Sequence, residues 1–255
     1  MSEKPRQRPN RKTRARTPAG PPRRPSASNP PTNRRLRVAA LMTVALGAFL
    51  IHAQTLSFGF TNWDDDINVT LNPYVTPPSW AGVAHHWCNA YRSLYVPLVY
   101  TAFALDGLVG GGEPWAFHLT NVLLHAAAAV AVVLIVHRLM APSPGAEPGS
   151  PYLWVVAAGA GLIFAWHPVQ VEPVSWITGR KDVLSGCLAF WAVWFYLRSA
   201  ADAPKHDLRH AHASTSVSYG VAFLLFCLSL TAKPSVVALP AGLLAIEWCL
   251  RPASV

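Results

Sequence analysis

The uncharged apolar run Val38–Leu56 constrains this chain more than any other feature. It contains no Lys, Arg, Asp or Glu over 19 residues. As an α-helix it would be about 28 Å long, close to the roughly 30 Å hydrocarbon core of a bilayer. The run therefore predicts a membrane-spanning helix. The alternative is a cleaved signal peptide ending near Ala53, which the long segment before the run and the poor cleavage site disfavour.

Later apolar runs predict that the chain crosses the membrane several times. Hydrophobic residues make up 52% and charged residues 13% of the 255 residues, too few charges to cover a soluble globule of this size. The predicted fold is an all-α integral membrane protein, a multi-pass helical bundle of about six spans. The expected location is the cell membrane, which would be the inner membrane in a bacterium. The further predicted spans are Trp115–His137, Tyr152–Val171, Val183–Leu197, Val217–Ala232 and Ser235–Leu250.

Basic residues concentrate before the first span, where Lys4–Arg37 holds 12 of the 21 Lys and Arg. Because this segment is rich in Pro, Ser and Arg and has no hydrophobic periodicity, residues 1–37 are predicted to be a disordered tail. Positive charge beside a span keeps that end in the cytoplasm, where it would touch anionic membrane lipids. No aromatic residue is interleaved with the arginines, so no nucleic-acid partner is expected. Residues 38–255 are the predicted membrane domain.

The segment Tyr95–Leu108 is apolar but, at about 21 Å as a helix, too short to span comfortably. Its Pro97, Asp106 and aromatic residues suit a membrane interface. If it lies at the interface, five of the nine cationic residues after the tail are on the cytoplasmic side and four are outside. If it spans the membrane, three are on the cytoplasmic side and six are outside, which is against the positive-inside tendency. We therefore predict a large first outer loop that bears interfacial helices. Asp64–Asp66 and His167–Asp182 then share the outer, non-cytoplasmic face.

Three adjacent carboxylates, Asp64–Asp66 after Trp63, follow the first span. Like charges repel and each loses hydration near lipid, so a site that holds a base or a cation would account for them. A solvated loop of Asp-rich turn character is the alternative. The metal requirement stays open: a divalent cation could bind here, whereas the adjacent His85 and His86 point in different directions and make a poor zinc pair.

The stretch His167–Asp182 places Glu172, Arg180, Lys181 and Asp182 between two predicted spans. Ionisable groups at that depth are costly and indicate a functional site. The Arg–Lys pair could clamp a phosphate, because the Arg fork donates two parallel hydrogen bonds, or it could snorkel to lipid headgroups. A base at an acceptor hydroxyl and positive charge at a leaving phosphate are what transfer from a phosphate-linked lipid requires.

The triplet Asn68-Val69-Thr70 matches a glycosylation acceptor on the predicted outer side. We discount it, because a glycan so close to Asp64–Asp66 would block the site.

Several motifs occur in order along the chain: Phe60–Asn68 (FTNWDDDIN) with Asn72-Pro73, Phe117–His125, His167–Glu172, Gly179–Asp182 and Lys233–Ser235. Together they resemble the membrane and tetratricopeptide-repeat O-mannosyltransferases and their bacterial relatives. That family belongs to the GT-C superfamily of glycosyltransferases that use polyprenyl-phosphate-linked sugars. The resemblance runs from about Gly59 to Glu247, nearly everything after the tail.

The resemblance implies an inverting transfer of a mannose-like sugar from the lipid phosphate to a hydroxyl, such as a Ser or Thr of a protein acceptor, on the non-cytoplasmic side. It implies a catalytic base at Asp64 or Asp65 and a second catalytic carboxylate at Glu172. Candidate phosphate contacts are Arg180, Lys181 and Arg92, and candidate supporting residues are Asp66, His167, Asp182 and Lys233. Many relatives have Tyr-Arg-Pro-Leu where this chain has Tyr91–Leu98 (YRSLYVPL), so the arginine is displaced to Arg92 or replaced by Val96.

Such enzymes continue through further spans into soluble helical repeats, and no 34-residue repeat occurs in this sequence. We therefore expect residues 38–255 to be the N-terminal membrane half of a GT-C-like enzyme. The alternatives are a non-catalytic membrane protein, such as a lipid-linked sugar carrier or an assembly scaffold, and an inactive fragment of the enzyme.

Overall fold

Helices dominate the computed structural model, which describes residues 31–140, 150–202 and 212–250. No β-strand occurs within those ranges, where the one isolated bridge pairs Tyr91 with Leu94. The α-helices are α1 (Pro31–His52), α2 (Trp80–Cys88), α3 (Pro97–Gly110), α4 (Pro114–Met140), α5 (Pro151–Trp166), α6 (Val171–Ser175), α7 (Arg180–Asp202), α8 (His212–Ala232) and α9 (Leu239–Leu250). Short 3-10 turns occupy Ala53–Ser57, Pro168–Gln170, Ile177–Gly179 and Pro234–Ala238, and a π-helical turn occupies Asp66–Thr70.

Two helical segments of the described residues are long and apolar enough to cross a membrane, Arg34–Ser57 and Pro114–Met140. A third crossing is added if the pair Pro151–Trp166 and Pro168–Ser175, bent by 52°, is one broken span. The prediction of an all-α membrane protein is confirmed. The count of about six spans stays a prediction. Three further apolar helices, Pro97–Gly110, Ser216–Ala232 and Pro234–Cys249, are shorter. Helix α7, which contains the predicted span Val183–Leu197, has 23 residues but is not among the segments that are both long and apolar enough.

The first span begins earlier than predicted, since α1 starts at Pro31 and includes Arg34, Arg35 and Arg37. Pro at a first helical position and Arg within a helix are both well tolerated, so the helix extends beyond the apolar run. Residues 1–30, most of the predicted tail, lie outside the described residues.

Helix α4 is the centre of the bundle and packs against α1, α3, α5 and α7. Small residues let its backbone approach α5 closely. At Gly161 of α5, an added Cβ would lie 2.5 Å from Val133 Cγ2 and 3.3 Å from the Ala129 carbonyl oxygen, both in α4. The α4–α5 contact therefore depends on the absence of a side chain at that position.

Helix α3 packs on α2, α4, α7 and α8. Near its start Tyr100 donates a hydrogen bond to Asn68 Oδ1 at 2.8 Å, and near its end Asp106 pairs with Arg180, the first residue of α7. The loop that carries Asn68 and the residues just before Arg180 are hydrogen-bonded to each other. Both ends of α3 are thus tied to the two hydrogen-bonded segments, and its place at a membrane interface stays a prediction.

Candidate active site at the junction of two loops

The carboxylate of Asp65 joins the first loop, residues 58–79, to the second loop, residues 167–179. Asp65 is only 1% exposed. Its Oδ1 accepts hydrogen bonds from the Thr178 backbone amide, at 3.0 Å, and from the Thr178 hydroxyl. Its Oδ2 accepts from the Thr61 amide at 3.0 Å and from the Thr61 hydroxyl at 2.9 Å. Four donors replace the lost hydration of the buried carboxylate, so Asp65 fixes one loop on the other.

The neighbouring Asp64 is partly exposed. Its backbone carbonyl accepts from Asn68 Nδ2 at 2.9 Å, whereas its carboxylate accepts no hydrogen bond from the described residues. Asp66, also partly exposed, accepts the Ile67 amide at 2.7 Å and begins the π-helical turn. Of the three adjacent carboxylates, Asp64 therefore has its oxygens available to an incoming group.

The side chain of Asn68 positions Asp64 and is itself held by Tyr100. Asn68 Oδ1 accepts from the Tyr100 hydroxyl at 2.8 Å while its amide nitrogen donates to Asp64. Burial raises the pKa of Tyr100 to about 12, with smaller contributions from Tyr91 and the Asp64 charge, so the phenol keeps its proton and donates. The amide nitrogen that a glycan would need is already engaged, which agrees with discounting this residue as a glycosylation acceptor.

The structure places Arg180 in the interior, 0% exposed, rather than at a surface that meets a phosphate. Its Nη2 donates to Asp106 Oδ2 at 2.6 Å and to the Phe117 carbonyl at 2.7 Å, and its Nε donates to Asn121. The chain itself therefore supplies the anion that Arg180 binds. This pairing holds Arg180 away from the surface. Its Nη1 has no hydrogen-bond partner among the described residues, and a phosphate contact by Arg180 stays a prediction.

Asn121 of α4 extends this interior network to the second loop. Its Nδ2 donates to the backbone carbonyls of Val174, at 3.3 Å, and of Trp176, at 2.9 Å. Asp106 accepts a further hydrogen bond from Thr120 at 2.7 Å. The network consequently ties α3, α4, the second loop and α7 together immediately behind the Asp65 junction.

The remaining candidates, in the second loop and at the start of α7, have exposed surface. Glu172 is exposed, and its carboxylate has no hydrogen-bond partner among the described residues. His167 is exposed and its Nδ1 accepts from the Val169 amide at 3.2 Å. Lys181 lies with its ammonium 5.7 Å from the centre of a Trp176 ring. Asp182 forms an ion pair with Lys233, the residue that follows α8.

Arg92 lies in a tight turn between α2 and α3. Arg92 and Ser93 have φ values of 46° and 67°, and Tyr91 and Leu94 close the turn with two backbone hydrogen bonds of 3.0 and 2.9 Å. Positive φ at both central positions is typical of a type I′ turn. The Arg92 side chain is exposed, with its guanidinium carbon 6.0 Å from the centre of the Tyr91 ring. It is accessible to an anion, and a role in phosphate binding stays a prediction.

No group of three or more His, Cys, Asp and Glu in the described ranges has the geometry to hold a metal ion. The carboxylates of Asp64, Asp65 and Asp66 have separate surroundings. His85 stacks on Tyr74 at 3.6 Å, and His86 stacks on Tyr100 at 3.9 Å. These two histidines therefore belong to an aromatic cluster beneath the first loop.

Sequence reasoning did not assign roles to Thr178, Asn121, Tyr100 and Asp106. Asp106 had a signal, because a carboxylate in an apolar segment needs a cation. Thr178 and Asn121 had no such signal, since a Thr or Asn beside a span is common both in loops and at helix interfaces. Their roles arise only from partners more than 50 positions away in the chain.

These features define the class of protein: an all-α membrane protein with a polar site where two loops meet at one end of the bundle. The sequence is similar to Protein O-mannosyl-transferase tmtc2 of Xenopus laevis, 32% identical over 171 residues, which are 63% of this chain and 19% of that protein. It is also similar to Protein O-mannosyl-transferase Tmtc2 of Drosophila melanogaster, 34% identical over 161 residues, 59% of this chain and 16% of that protein.

Protein O-mannosyl-transferase TMTC2 of Homo sapiens is 32% identical over 171 residues, 63% of this chain and 19% of that protein. The predicted resemblance to the O-mannosyltransferases is thereby confirmed over about 60% of the chain. The chain spans less than a fifth of the length of these curated relatives. No protein-family model matches the sequence, and no solved structure matches it.

Proposed function

We propose that this chain carries the acidic catalytic site of a glycosyltransferase. The reaction moves a mannose-like sugar from a polyprenyl phosphate to a Ser or Thr hydroxyl of a protein, on the non-cytoplasmic side of the cell membrane. The observation that carries the proposal is the contrast between two neighbours: Asp65 has all its oxygen contacts filled by Thr61 and Thr178, whereas Asp64 beside it has an unoccupied carboxylate. Similarity to proteins named O-mannosyl-transferases supplies the reaction class.

Asp64 is the base in this scheme. Its carboxylate removes the proton of the acceptor hydroxyl as that oxygen bonds to the anomeric carbon of the sugar. The bond between that carbon and the phosphate oxygen breaks, and its electron pair leaves with the lipid phosphate. Inversion follows from attack on the face opposite the phosphate. Such a base contributes about 10²–10⁴-fold to the rate, provided that it is held at hydrogen-bond distance from the hydroxyl. Asn68 and Asp65 fix the loop that carries Asp64 and so hold its carboxylate in place.

The leaving phosphate needs positive charge at the same end of the bundle. Since Arg180 is occupied by Asp106, we assign that charge to Lys181 and Lys233, both partly exposed, with Arg92 as a further cation. Glu172 is exposed on the second loop and is proposed as the second carboxylate, which would stabilise positive character at the anomeric carbon. His167 shapes the start of that loop through its hydrogen bond to Val169.

Transfer of labelled mannose from a polyprenyl-phosphate donor to a protein acceptor, with the chain reconstituted in vesicles, tests the proposal. Asp64→Asn should abolish transfer, while Glu113→Gln, the same change at an exposed carboxylate before α4, should leave it unchanged. Equal transfer by Asp64→Asn and the unaltered chain would exclude Asp64 as the base. Donor binding without any turnover would favour a lipid-linked sugar carrier. Repeating the assay after chelation shows whether a divalent cation takes part.

A further inference from the structure

A partly open cavity of about 220 Å³ lies beside the second loop, between α4, α5 and α7. Its inner part is buried and mostly apolar and includes Ala128 and the free thiol of Cys187. One buried polar ring, His125, also lines it, and its Nε2 lies 3.1 Å from the Ala165 carbonyl oxygen. Two aromatic rings line it as well, Phe164 and Phe190, packed edge to face with centres 5.4 Å apart. The cavity therefore offers hydrocarbon contacts directly behind the polar loop.

The rim of the same cavity is polar and charged. Gln170 and Asp182 line it, and both are partly exposed. Asp182 is paired with Lys233, and the two side chains are 38% and 36% exposed. Ion pairs with that much exposure contribute only about 0–1 kcal/mol, so Lys233 can exchange Asp182 for another anion at little cost.

We propose that this cavity takes the hydrocarbon segment next to the phosphate of the donor lipid, and that Asp182 occupies Lys233 until the phosphate replaces it. The inference rests on the proposed function, because it locates the donor of that reaction. Asp182 would then act as an internal competitor for the same ammonium group.

The volume of the cavity and the charge at its rim fit one segment of an amphiphilic molecule better than a complete ligand. Sites for complete small molecules usually measure about 300–1,000 Å³, so this cavity holds only part of a molecule, whose remainder would extend into lipid. A mostly apolar interior, beneath a rim whose Asp182 holds an exchangeable cation, is complementary to a hydrocarbon that ends in a phosphate. An uncharged lipid would leave the Lys233 side unmatched, and free phosphate would leave the interior unfilled.

Cys187 provides a binding assay that is independent of sugar transfer. With Cys88, Cys227 and Cys249 replaced by Ser, modification of Cys187 by a small thiol reagent reports access to the cavity. We expect geranyl phosphate to slow that modification at least fivefold, and geraniol or inorganic phosphate at the same concentration to slow it less than twofold. Equal protection by geraniol, or by inorganic phosphate, would overturn the assignment of an amphiphilic phosphate site.

Gly186 is a position from which a larger side chain can enter the cavity. Gly186 lines the cavity, and an added Cβ there meets nothing within 4 Å; the same holds at Gly220 on α8, which does not line it. Gly186→Leu should remove protection by geranyl phosphate, and Gly220→Leu should keep it. Because Leu favours a helix over Gly, both variants should fold. Protection that survives in Gly186→Leu would place the ligand elsewhere.

Asp182 on the rim and Lys233, its ion-pair partner, should act in opposite directions. Lys233→Met should raise the geranyl phosphate concentration needed for half-protection about tenfold, and Asp182→Asn should lower it about threefold, since the competitor is gone. Weakening by Asp182→Asn would contradict the internal-competitor role. Asp64→Asn separates the two proposals: it should abolish transfer and keep protection. Transfer without protection would overturn the cavity assignment alone, and protection without transfer in the unaltered chain would overturn the enzyme.

Discussion

Thr178 donates both its backbone N–H and its hydroxyl to one oxygen of Asp65, a residue 113 positions earlier in the chain. A buried carboxylate needs donors to replace its lost hydration, and Thr178 supplies half of them. The contact therefore couples the conformation of the acidic motif to the loop that precedes α7. It also separates the roles of two adjacent residues, since Asp65 holds the loops together and Asp64 is left open.

Removing the Thr178 hydroxyl should destabilise the protein. Thr178→Val should lower the free energy of unfolding by about 1.5–3 kcal/mol, the usual worth of a hydrogen bond to a charged group. Thermal or denaturant unfolding in detergent would measure it. Thr178→Ser retains the hydroxyl and should lie within about 0.5–1 kcal/mol of the unaltered chain. Equal losses in the two variants would show that the hydroxyl makes no net contribution.

Asp64→Asn and Asp65→Asn should fail in different ways. Asp64→Asn should abolish detectable transfer, because a general base contributes about 10²–10⁴-fold to the rate, and should leave the melting temperature unchanged. Asp65→Asn turns an amide NH₂ toward existing donors and should lower the free energy of unfolding by about 2 kcal/mol or more. Transfer rates and melting curves on the same preparations would separate the two. Loss of stability in Asp64→Asn would contradict the assignment.

Replacing only one partner of the buried ion pair between Arg180 and Asp106 should greatly lower the free energy of unfolding. Arg180→Met leaves Asp106 without its cation and should cost about 3–5 kcal/mol, whereas Arg180→Met combined with Asp106→Leu should recover much of the loss. Lys181→Met changes the adjacent, partly exposed cation and should cost at most about 0.5 kcal/mol. Unfolding in detergent measures all three. If Lys181→Met were as damaging as Arg180→Met, the interior pairing would be refuted.

Acid should destabilise the protein through His86 of α2. Burial, with a smaller contribution from His85, lowers the pKa of His86 to about 4 from an ordinary 6.5. Between those two values the unfolded chain binds a proton that the folded chain does not, so stability falls as the pH falls from 6.5 to 4 and is flat above. The loss attributable to His86 should be roughly 1–3 kcal/mol.

Melting temperatures from pH 7.5 to 4.5 would test this, with His86→Phe as the control that keeps a stacked ring on Tyr100 and cannot titrate. The unaltered chain should lose more stability on acidification than the variant. His85, Tyr74, Tyr91 and Asp64 remain in both proteins, so the comparison isolates the change at position 86. Identical pH profiles would remove His86 as the cause.

Close packing of α4 and α5 should fail when Gly161 gains a side chain. Gly161→Ala places a Cβ against Val133 and the Ala129 carbonyl, and overpacking of this kind costs about 1–3 kcal/mol. Gly159→Ala, two positions earlier in the same helix, meets nothing within 4 Å and should be neutral or slightly stabilising. Denaturant midpoints in detergent would compare them. A neutral Gly161→Ala would show that the two helices separate without cost.

Much of the architecture follows from hydropathy alone. Val38–Leu56 is recovered in α1 and the 3-10 turn that follows it, and Trp115–His137 as the apolar core of α4, because charge-free runs of that length have few other stable environments. The third run, Tyr152–Val171, ends in a break near His167, at the Pro-containing stretch. The first and last residues of the helices were less predictable. Helix α1 extends into the Arg-rich segment, because Arg favours a helix although it is not apolar.

The sequence allowed us to predict which residues lie in the candidate site, but not the role of each residue in it. Sequence reasoning brought Asp64–Asp66 and Arg180 to one side, and the hydrogen bonds of Asp65 and Asp106 agree with that grouping. It could not divide Asp64 from Asp65, since adjacent carboxylates of identical type differ only in what surrounds them. It also predicted that Arg180 contacts a phosphate. The carboxylate that Arg180 pairs with, Asp106, is 74 positions away in the chain, so the sequence did not indicate the pairing.

The sequence by itself determined that this protein is a bundle of apolar helices with an acidic motif beyond its first span, because solvent preference acts locally on each run. Only the tertiary structure decided that Asp65 is a buried junction, that Asp64 is open and that Arg180 is an interior cation. The physical reason is that burial and hydrogen-bond partners depend on distant segments, and those quantities set what a carboxylate or a guanidinium can do.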